Sequence, residues 1–450
     1  MSRATQWAAG MMLAGAAGGI LACGTDAYEA SPVSPTFSRA ATEGPFQFTP
    51  LAASTICTVA GGNPEKPFVL PPGFDQVALA SEPSYADVPD MNTQNERGPR
   101  AGRFVYQAHE VGANGSLSVI DLETGVTKTI AQRADWEGLD GIVWTPWGTI
   151  LIAEETNAAA FRDPRYPAAR AGLVYEVFPD AADPTTVDSV VARPAIGSKS
   201  HEGMRFDAQG NLYSISERTP GYIFRFVPDR RGDLSSGQLY VLKVTTPDGD
   251  RTGGGEWIAL DRAAVQVDAS AEGDRVGATG YARPEDVEIA TSTGNNRGGA
   301  QTLYVAVTGV GDNRVLGIDL REPAGGGEHS TAFVFDYVRV GLNTTTEFEW
   351  PDNLALDRAG NLYIAEDPGG NFRNGAGKVK GDDIWVATPD AARPHSAAGN
   401  VVRFASLTDC DAEPTGIYFD KGGDRLFVNA QHRGGDRRDK TMAIFPVGRD

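Results

Sequence analysis

Positive charge is scarce in this chain, and so are cysteine and long apolar runs. The 450 residues carry 40 Lys and Arg against 59 Asp and Glu, a net charge of −19. So acidic a chain argues against a nucleic-acid partner, because phosphate backbones are bound through basic surfaces. The longest apolar stretch, from Trp7 to Ala22, is too short and too weakly flanked for a membrane span. With three cysteines in all, at most one intrachain disulfide can form. What is abundant is glycine and proline, 54 and 28 residues, which favour many turns over long helices and point to an all-β chain with a large core.

The N-terminus has the layout of a secretory signal: Arg3, the apolar stretch, then Cys23. Ile20-Leu21-Ala22-Cys23 resembles a bacterial lipobox, although Leu21 stands where a small residue is usual. Residues 1–23 are therefore read as a signal peptide with lipidation at Cys23. That makes the protein exported, in the periplasm or at the outer membrane or cell surface, and touching a membrane only through a lipid anchor. Ordinary secretion and a plain anchor are the alternatives. Residues 24–60, rich in Ala, Ser, Thr and Pro over most of their length, read as a flexible tether. Residues 61–450 form the folded domain.

One phrase recurs through that domain: a polar or acidic cluster, a strand ending in Asp, a glycine turn, and a second strand running into carboxylate. It reads SHEGMRFDAQGNLYSISE from Ser200, EWPDNLALDRAGNLYIAED from Glu349 and AEPTGIYFDKGGDRLFVNAQH from Ala412. Looser copies begin at Trp136 and Ala282. The second strands number six, counting Phe104 to Ala108, and each is followed by a further period-2 segment. Repeats of this kind are the signature of propeller blades, so the expected architecture is a six-bladed β-propeller. Asp75 to Ala80 has no blade of its own, and the last blade lacks an outer strand; pairing the two closes the ring. Cys57 and Cys410, near the two chain ends, are then expected to form a disulfide in an oxidising compartment, the alternative being two unpaired thiols. Residues 229–281 read as an insertion over one face.

In a propeller the starts of the first strands and the ends of the second strands share one rim of the central channel, because neighbouring strands are antiparallel. The phrases at Trp136-Glu137-Gly138, His201-Glu202-Gly203, Arg283-Pro284-Glu285-Asp286, Trp350-Pro351-Asp352-Asn353 and Glu413-Pro414-Thr415-Gly416 would converge there. They would meet His109-Glu110, Glu154-Glu155, Glu217, Glu366-Asp367 and Gln431-His432. Like charges at about 4 Å cost roughly 4 kcal/mol per pair at an effective dielectric near 20. Bound multivalent cations relieve that repulsion, and oxygen donors select hard ions such as Ca²⁺, Mn²⁺ or Fe³⁺. From this set Asn353 and Glu366 join the candidate ligands. His201 and His432 are candidate proton donors, or hydrogen-bonded structural residues.

The phrases TPWGT with AEE (Thr145 to Thr149, Ala153 to Glu155), His201-Glu202, Arg283-Pro284-Glu285, Pro351-Asp352, and Thr415-Gly416 with Gln431-His432 resemble, in order, the PhoX-type alkaline phosphatases. Those are secreted six-bladed propellers that hydrolyse phosphate monoesters with iron(III) and calcium on the axis. The resemblance implies ligand roles for Glu110, Glu154, Glu155, Glu202, Glu285 and Asp352, and a substrate-gripping role for Arg283, which is otherwise a salt-bridge partner of Glu285. Three departures stand out. The family's iron-binding cysteine falls at or next to Asp140. Ala108 replaces an Asn, and Asp286 replaces a Trp. There is no twin-arginine signal. These changes point to more than one Ca²⁺, with Asp140 as an oxygen ligand and Fe³⁺ in doubt. The expectation is a monomeric, metal-dependent phosphatase acting on a small phosphate ester. A gluconolactonase-like hydrolase with a single Ca²⁺, or a non-catalytic calcium-binding surface propeller, is the alternative.

Overall fold

In the computed structural model, strands succeed one another in the order the repeat predicts, with one α-helix among the described residues, Val265–Val276. The structure describes residues 47–98, 100–157, 163–291, 301–321, 331–367, 380–390, 392–393, 395–433 and 438–448; the signal segment and Cys23 lie outside them.

Each repeat is a set of antiparallel strands. The inner strands are Pro89–Gln94, Leu139–Trp144, Met204–Phe206, Pro284–Thr291, Pro351–Leu356 and Glu413–Phe419. Each inner strand contacts the inner strand of the next set, and the last contacts the first. Four sets are separate sheets, and two merge into one nine-stranded sheet where Gly253–Ala259 pairs with Thr331–Arg339. The result is an all-β, propeller-like ring.

Both faces of a middle strand pack against neighbouring sheets, so such strands read as apolar runs rather than alternating ones. Phe104–His109 and Ile150–Glu154 are buried throughout. The cores lie between successive sheets. Tyr106, Leu117, Ile142 and Ile152 share one, Leu151, Val174, Leu212 and Phe224 another, and Val105, Ile120, Phe427 and Ala443 fill the one joining the last set to the first. The turn of the recurrent phrase has its own chemistry. Asp207 Oδ1 accepts the Asn211 amide at 2.8 Å and Oδ2 the Asn211 side chain at 2.7 Å, around Gly210 at φ +90°. Asp357 and Asn361 repeat both bonds.

The expected closure is present: Phe74–Ser81 pairs antiparallel with Lys440–Pro446. The disulfide also forms, between Cys57 and Cys410 with Cα atoms 5.1 Å apart. Part of the expected tether is ordered structure. Residues 47–60 lie against the ring, with Phe48 packed edge-on to Phe74 and Phe404 and Ser54 Oγ donating to Asp383 at 2.6 Å. The aromatic at position 48 has a pocket to fill, which a composition reading of the whole segment overlooks. The 229–281 segment is built into the fold: Asp233–Pro247 is the fourth strand of its set, and the helix Val265–Val276 receives an amide bond from Arg170 and gives one to Ser198.

The disulfide closes a loop across 353 residues. Replacing both Cys57 and Cys410 by Ser is expected to cost about 2–4 kcal/mol, measured as a lower denaturation midpoint. A reductant should produce the same loss in the wild type and none in the double variant.

Candidate metal centre

Four of the inner strands begin with the same irregularity. Pairing with the second strand slips between Pro89 and Asn92, Leu139 and Ile142, Pro284 and Val287, and Pro351 and Leu354. A β-bulge re-aims the side chains within it, and the residues in these four bulges include Asp90, Asp140, Glu285 and Asp352. The preceding residue has a left-handed backbone in all four: Val88 (φ +53°), Gly138 (+55°), Arg283 (+46°) and Trp350 (+46°). For the three non-glycine residues that costs about 1–3 kcal/mol each.

The strained carbonyl holds the end of the second strand. Val88 O accepts the Glu110 amide at 3.0 Å, Gly138 O that of Glu155 at 2.7 Å, Arg283 O that of Thr308 at 2.9 Å, and Trp350 O that of Asp367 at 2.9 Å. Ser200 O does the same for Glu217 at 3.1 Å. Each fastener brings a second-strand residue beside an inner-strand carboxylate, and carboxylates converge from five sets. Adjacent inner strands approach closely here: a Cβ on Gly141 would lie 2.0 Å from Glu202 O, and one on Gly203 2.0 Å from Asp286 Oδ1.

Two groups of three carboxylates follow. Ligand oxygens of Asp90, Glu110 and Asp140 lie within 4.8 Å of one another, and so do those of Glu202, Glu217 and Glu285. Electrostatics join them into one centre. Burial, then Asp90, Glu110, Asp352 and Glu217, hold the Asp140 carboxyl well above its usual range. Burial, then Glu217, Glu110 and Asp140, do the same to Glu155. Burial pushes Asp352 up to about 8, with Asp367 adding to it. Asp140 Oδ1 and Glu202 Oε2 are buried without a hydrogen-bond partner. Crowded, part-unsatisfied oxygens of this kind suit hard cations.

Arg283 is the counter-charge on the exposed side. Its Nε lies 2.5 Å from Glu217 Oε1 and 3.0 Å from Glu285 Oε1, and its Nη1 2.8 Å from Asp367 Oδ2, with the side chain 38% exposed. Burial opposes its charge, but Glu285, Glu217 and Asp367 outweigh that and raise its pKa. It stands in the set whose second strand ends at Thr308 rather than at an acid. On the opposite side Gln431 Nε2 donates to Asp90 Oδ2 at 3.1 Å, and His432 Nε2 lies 3.0 Å from Glu413 Oε1.

Of the expected ligands, Glu110, Asp140, Glu155, Glu202, Glu285 and Asp352 meet in this centre. Three do not. Glu154 Oε2 accepts the Leu173 amide at 3.0 Å and its Oε1 that of Glu137 at 3.3 Å, so it pins the backbone. Glu366 does the same, with Oε1 accepting from the Glu349 amide and Trp385 Nε1 and Oε2 from the Asp383 amide. Both precede by one residue the acid that reaches the axis, and successive side chains of a strand point to opposite faces. Asn353 uses its oxygen on the Gly416 amide. His201 is buried with Nε2 donating to Gly197 O at 3.0 Å, and burial, then Lys199, hold it well below its usual pKa, which favours the structural alternative over a proton donor. Asp90 was not among the expected ligands, though Pro89-Asp90 repeats Pro351-Asp352 and marks the first inner strand; Glu217 and Asp367 also reach the centre.

Residues 143–434 match the family described as alkaline phosphatase PhoX. The chain belongs to this PhoX family. The ring resembles the structure of Pseudomonas fluorescens PhoX in complex with vanadate, a transition state analogue. The TM-score is 0.61 at 19% identity, over 87% of this chain and 98% of that one. Looser likeness extends to a PQQ-bound aldose sugar dehydrogenase from Streptomyces coelicolor, at TM-score 0.42 and 12% identity over 84% and 100% of the two chains. It extends likewise to Kuenenia stuttgartiensis hydrazine synthase, at 0.42 and 11% over 82% and 99%. No curated protein matches the sequence. In this PhoX member the carboxyl group of Asp140, expected from the sequence as an oxygen ligand, lies inside the centre.

Glu154→Gln and Glu155→Gln should therefore separate. The first is expected to lower stability by about 1–3 kcal/mol through lost backbone acceptors and to leave bound metal unchanged; the second should lower metal content, both read by denaturation and elemental analysis. The metal-free protein has a defined pH response. Asp352 goes from an ordinary 3.8 to about 8 on folding, so the folded chain binds the extra proton. Its contribution is complete below about pH 4 and is lost as pH rises through about 8. Melting in chelator should show Tm falling across that window, and added Ca²⁺ should reverse the fall.

Proposed function

We propose that this PhoX family member is an exported phosphatase that hydrolyses small phosphate monoesters at the acidic centre of a six-bladed propeller. The merged nine-stranded sheet counts as two blades in that reading, which is supported by the closed succession of inner strands. The observation that carries the activity is a carboxylate ring with one partly exposed arginine on its edge.

More than one Ca²⁺ fits the donors. Asp90, Glu110 and Asp140 would hold one ion and Glu202, Glu217 and Glu285 another, with Glu155 and Asp352 between them. Thiolate-held iron does not fit, since both cysteines among the described residues are joined to each other; any Fe³⁺ would need an all-oxygen set. When bound, such ions polarise phosphoryl oxygens and make a water molecule more acidic. The chain's own residues do the rest. Arg283 offers a planar fork that binds two phosphoryl oxygens at once and orients the ester. Its carboxylate partners Glu217, Glu285 and Asp367 are groups that cations would neutralise, which would leave the guanidinium available to the ester. Asp367 and Glu217 limit how far it can swing.

A net charge of −19 suits a small ester better than a polyanionic partner. The ring closes on strands of its own chain, Phe74–Ser81 against Lys440–Pro446, in keeping with a monomer. Export agrees with the disulfide, since cytosolic thiols stay reduced.

Turnover of p-nitrophenyl phosphate should be abolished by chelator and restored by Ca²⁺. Arg283→Ala is expected to lower kcat/KM by on the order of 10²-fold without loss of calcium, and Arg283→Lys to recover only part. Unchanged turnover in Arg283→Ala would remove the arginine from the mechanism. Hydrolysis of a simple lactone but not of the phosphate ester would replace the proposed activity.

A further inference from the structure

A third acidic group lies away from the centre, at the seam where the ring closes. Ligand oxygens of Glu82, Asp87 and Asp439 come within 4.8 Å of one another. The arrangement follows from the closing ladder. Its last pair is Ser81 opposite Lys440, which sets Glu82 opposite Asp439 one step further on. The ladder is carried past its end by two bonds, Glu82 N to Asp439 O at 3.3 Å and Asp439 N to Glu82 Oε2 at 3.0 Å. Like charges directly opposite across strands are destabilising, and Asp87 from the following loop adds a third.

The cluster has a buried oxygen that nothing in the described structure satisfies. Asp439 is 3% exposed; its Oδ1 accepts the Arg433 amide at 3.0 Å, while Oδ2 has no hydrogen-bond partner. Nearby cations are engaged elsewhere. Lys440 Nζ pairs with Glu65 at 2.6 Å, and Arg438 Nη1 donates to the main-chain oxygen of Glu82 at 3.0 Å. Asp87 is exposed and Glu82 half-buried, so solvent can complete a coordination shell.

We propose that Glu82, Asp87 and Asp439 form a seam site for a hard divalent cation, Ca²⁺, which ties the first closing strand to the last. Three carboxylates with water completing six to eight oxygen ligands place it among weak extracellular sites, with a Kd of about 10⁻⁴–10⁻³ M. The ion also braces the loop before Val88, whose carbonyl fastens Glu110 into the centre. The assignment is independent of the phosphatase reading.

Calcium per chain, measured by equilibrium dialysis at several millimolar Ca²⁺, tests it on the folded domain. Asp87→Asn, at an exposed position, should bind one calcium fewer than wild type and lose part of the calcium-induced rise in Tm. Glu82→Gln should repeat that loss, whereas Asp140→Asn in the central ring should keep the weak site. Tb³⁺ gives a second readout. Tyr85 is buried within the field of Asp439 and Glu82, so tyrosine-excited Tb³⁺ emission should fall in Tyr85→Phe with calcium stoichiometry unchanged, and in Asp87→Asn with one calcium lost. If Asp87→Asn and Glu82→Gln both bind as much calcium as wild type with the same Tm response, the seam site does not exist.

Discussion

Mutual repulsion among buried carboxylates is the constraint around which this molecule is organised. Two like charges about 4 Å apart cost roughly 4 kcal/mol at an effective dielectric near 20, and the centre gathers two such triads together with Glu155, Asp352 and Asp367. No side chain would hold that geometry by its own preference. It is imposed by backbone: the bulges at Asp90, Asp140, Glu285 and Asp352 turn the inner carboxylates, and the carbonyls of Val88, Gly138 and Trp350 hold Glu110, Glu155 and Asp367 beside them. Non-glycine residues accept a left-handed backbone at three of these points, which is consistent with strain being stored where function needs it.

The scaffold can bear this because its cores are elsewhere. Apolar packing lies between sheets, away from the axis, in clusters such as that of Tyr213, Ile223, Leu303 and Val305. The structural acids are separated from the functional ones by a single step along the chain. Glu154 and Glu366 each take two or more donors and turn into the sheet; Glu155 and Asp367 follow and face the ring. Two buried carboxylates in sequence thus do opposite jobs, one satisfied by donors of its own sheet and one turned into the acidic centre.

That single step explains what could and could not be read from the chain. The Asp-x-x-Gly-Asn turns, the closing strand at Asp75 to Ala80 and the Cys57–Cys410 pair were legible, because each depends on local residue chemistry or on where a ring must meet itself. The split between Glu154 and Glu155 was not, because it depends on where the strand ends relative to the fastening carbonyl of Gly138. Asn353 and His201 carry suitable donor atoms, yet Gly416 and Gly197 claim them, and those partners come from a different set or a preceding turn. Asp90 was missed for a different reason: its strand, PDMNTQ, is polar and lacks the apolar pattern of the other copies, although it is fully buried.

Asp140 ties these threads together. A thiolate is a soft donor, whereas a carboxylate is a hard one that suits hard cations such as Ca²⁺. The Asp140 carboxyl joins a triad short of neutralisation, since Asp90 and Glu110 are its immediate neighbours. The protein side offers little relief: Gln431 donates to Asp90 and to Glu110, at 3.1 and 3.4 Å, while Arg283 serves the other triad. The half built on Glu202, Glu217 and Glu285 has a guanidinium among its carboxylates, so the two triads differ in how far the chain itself offsets their charge.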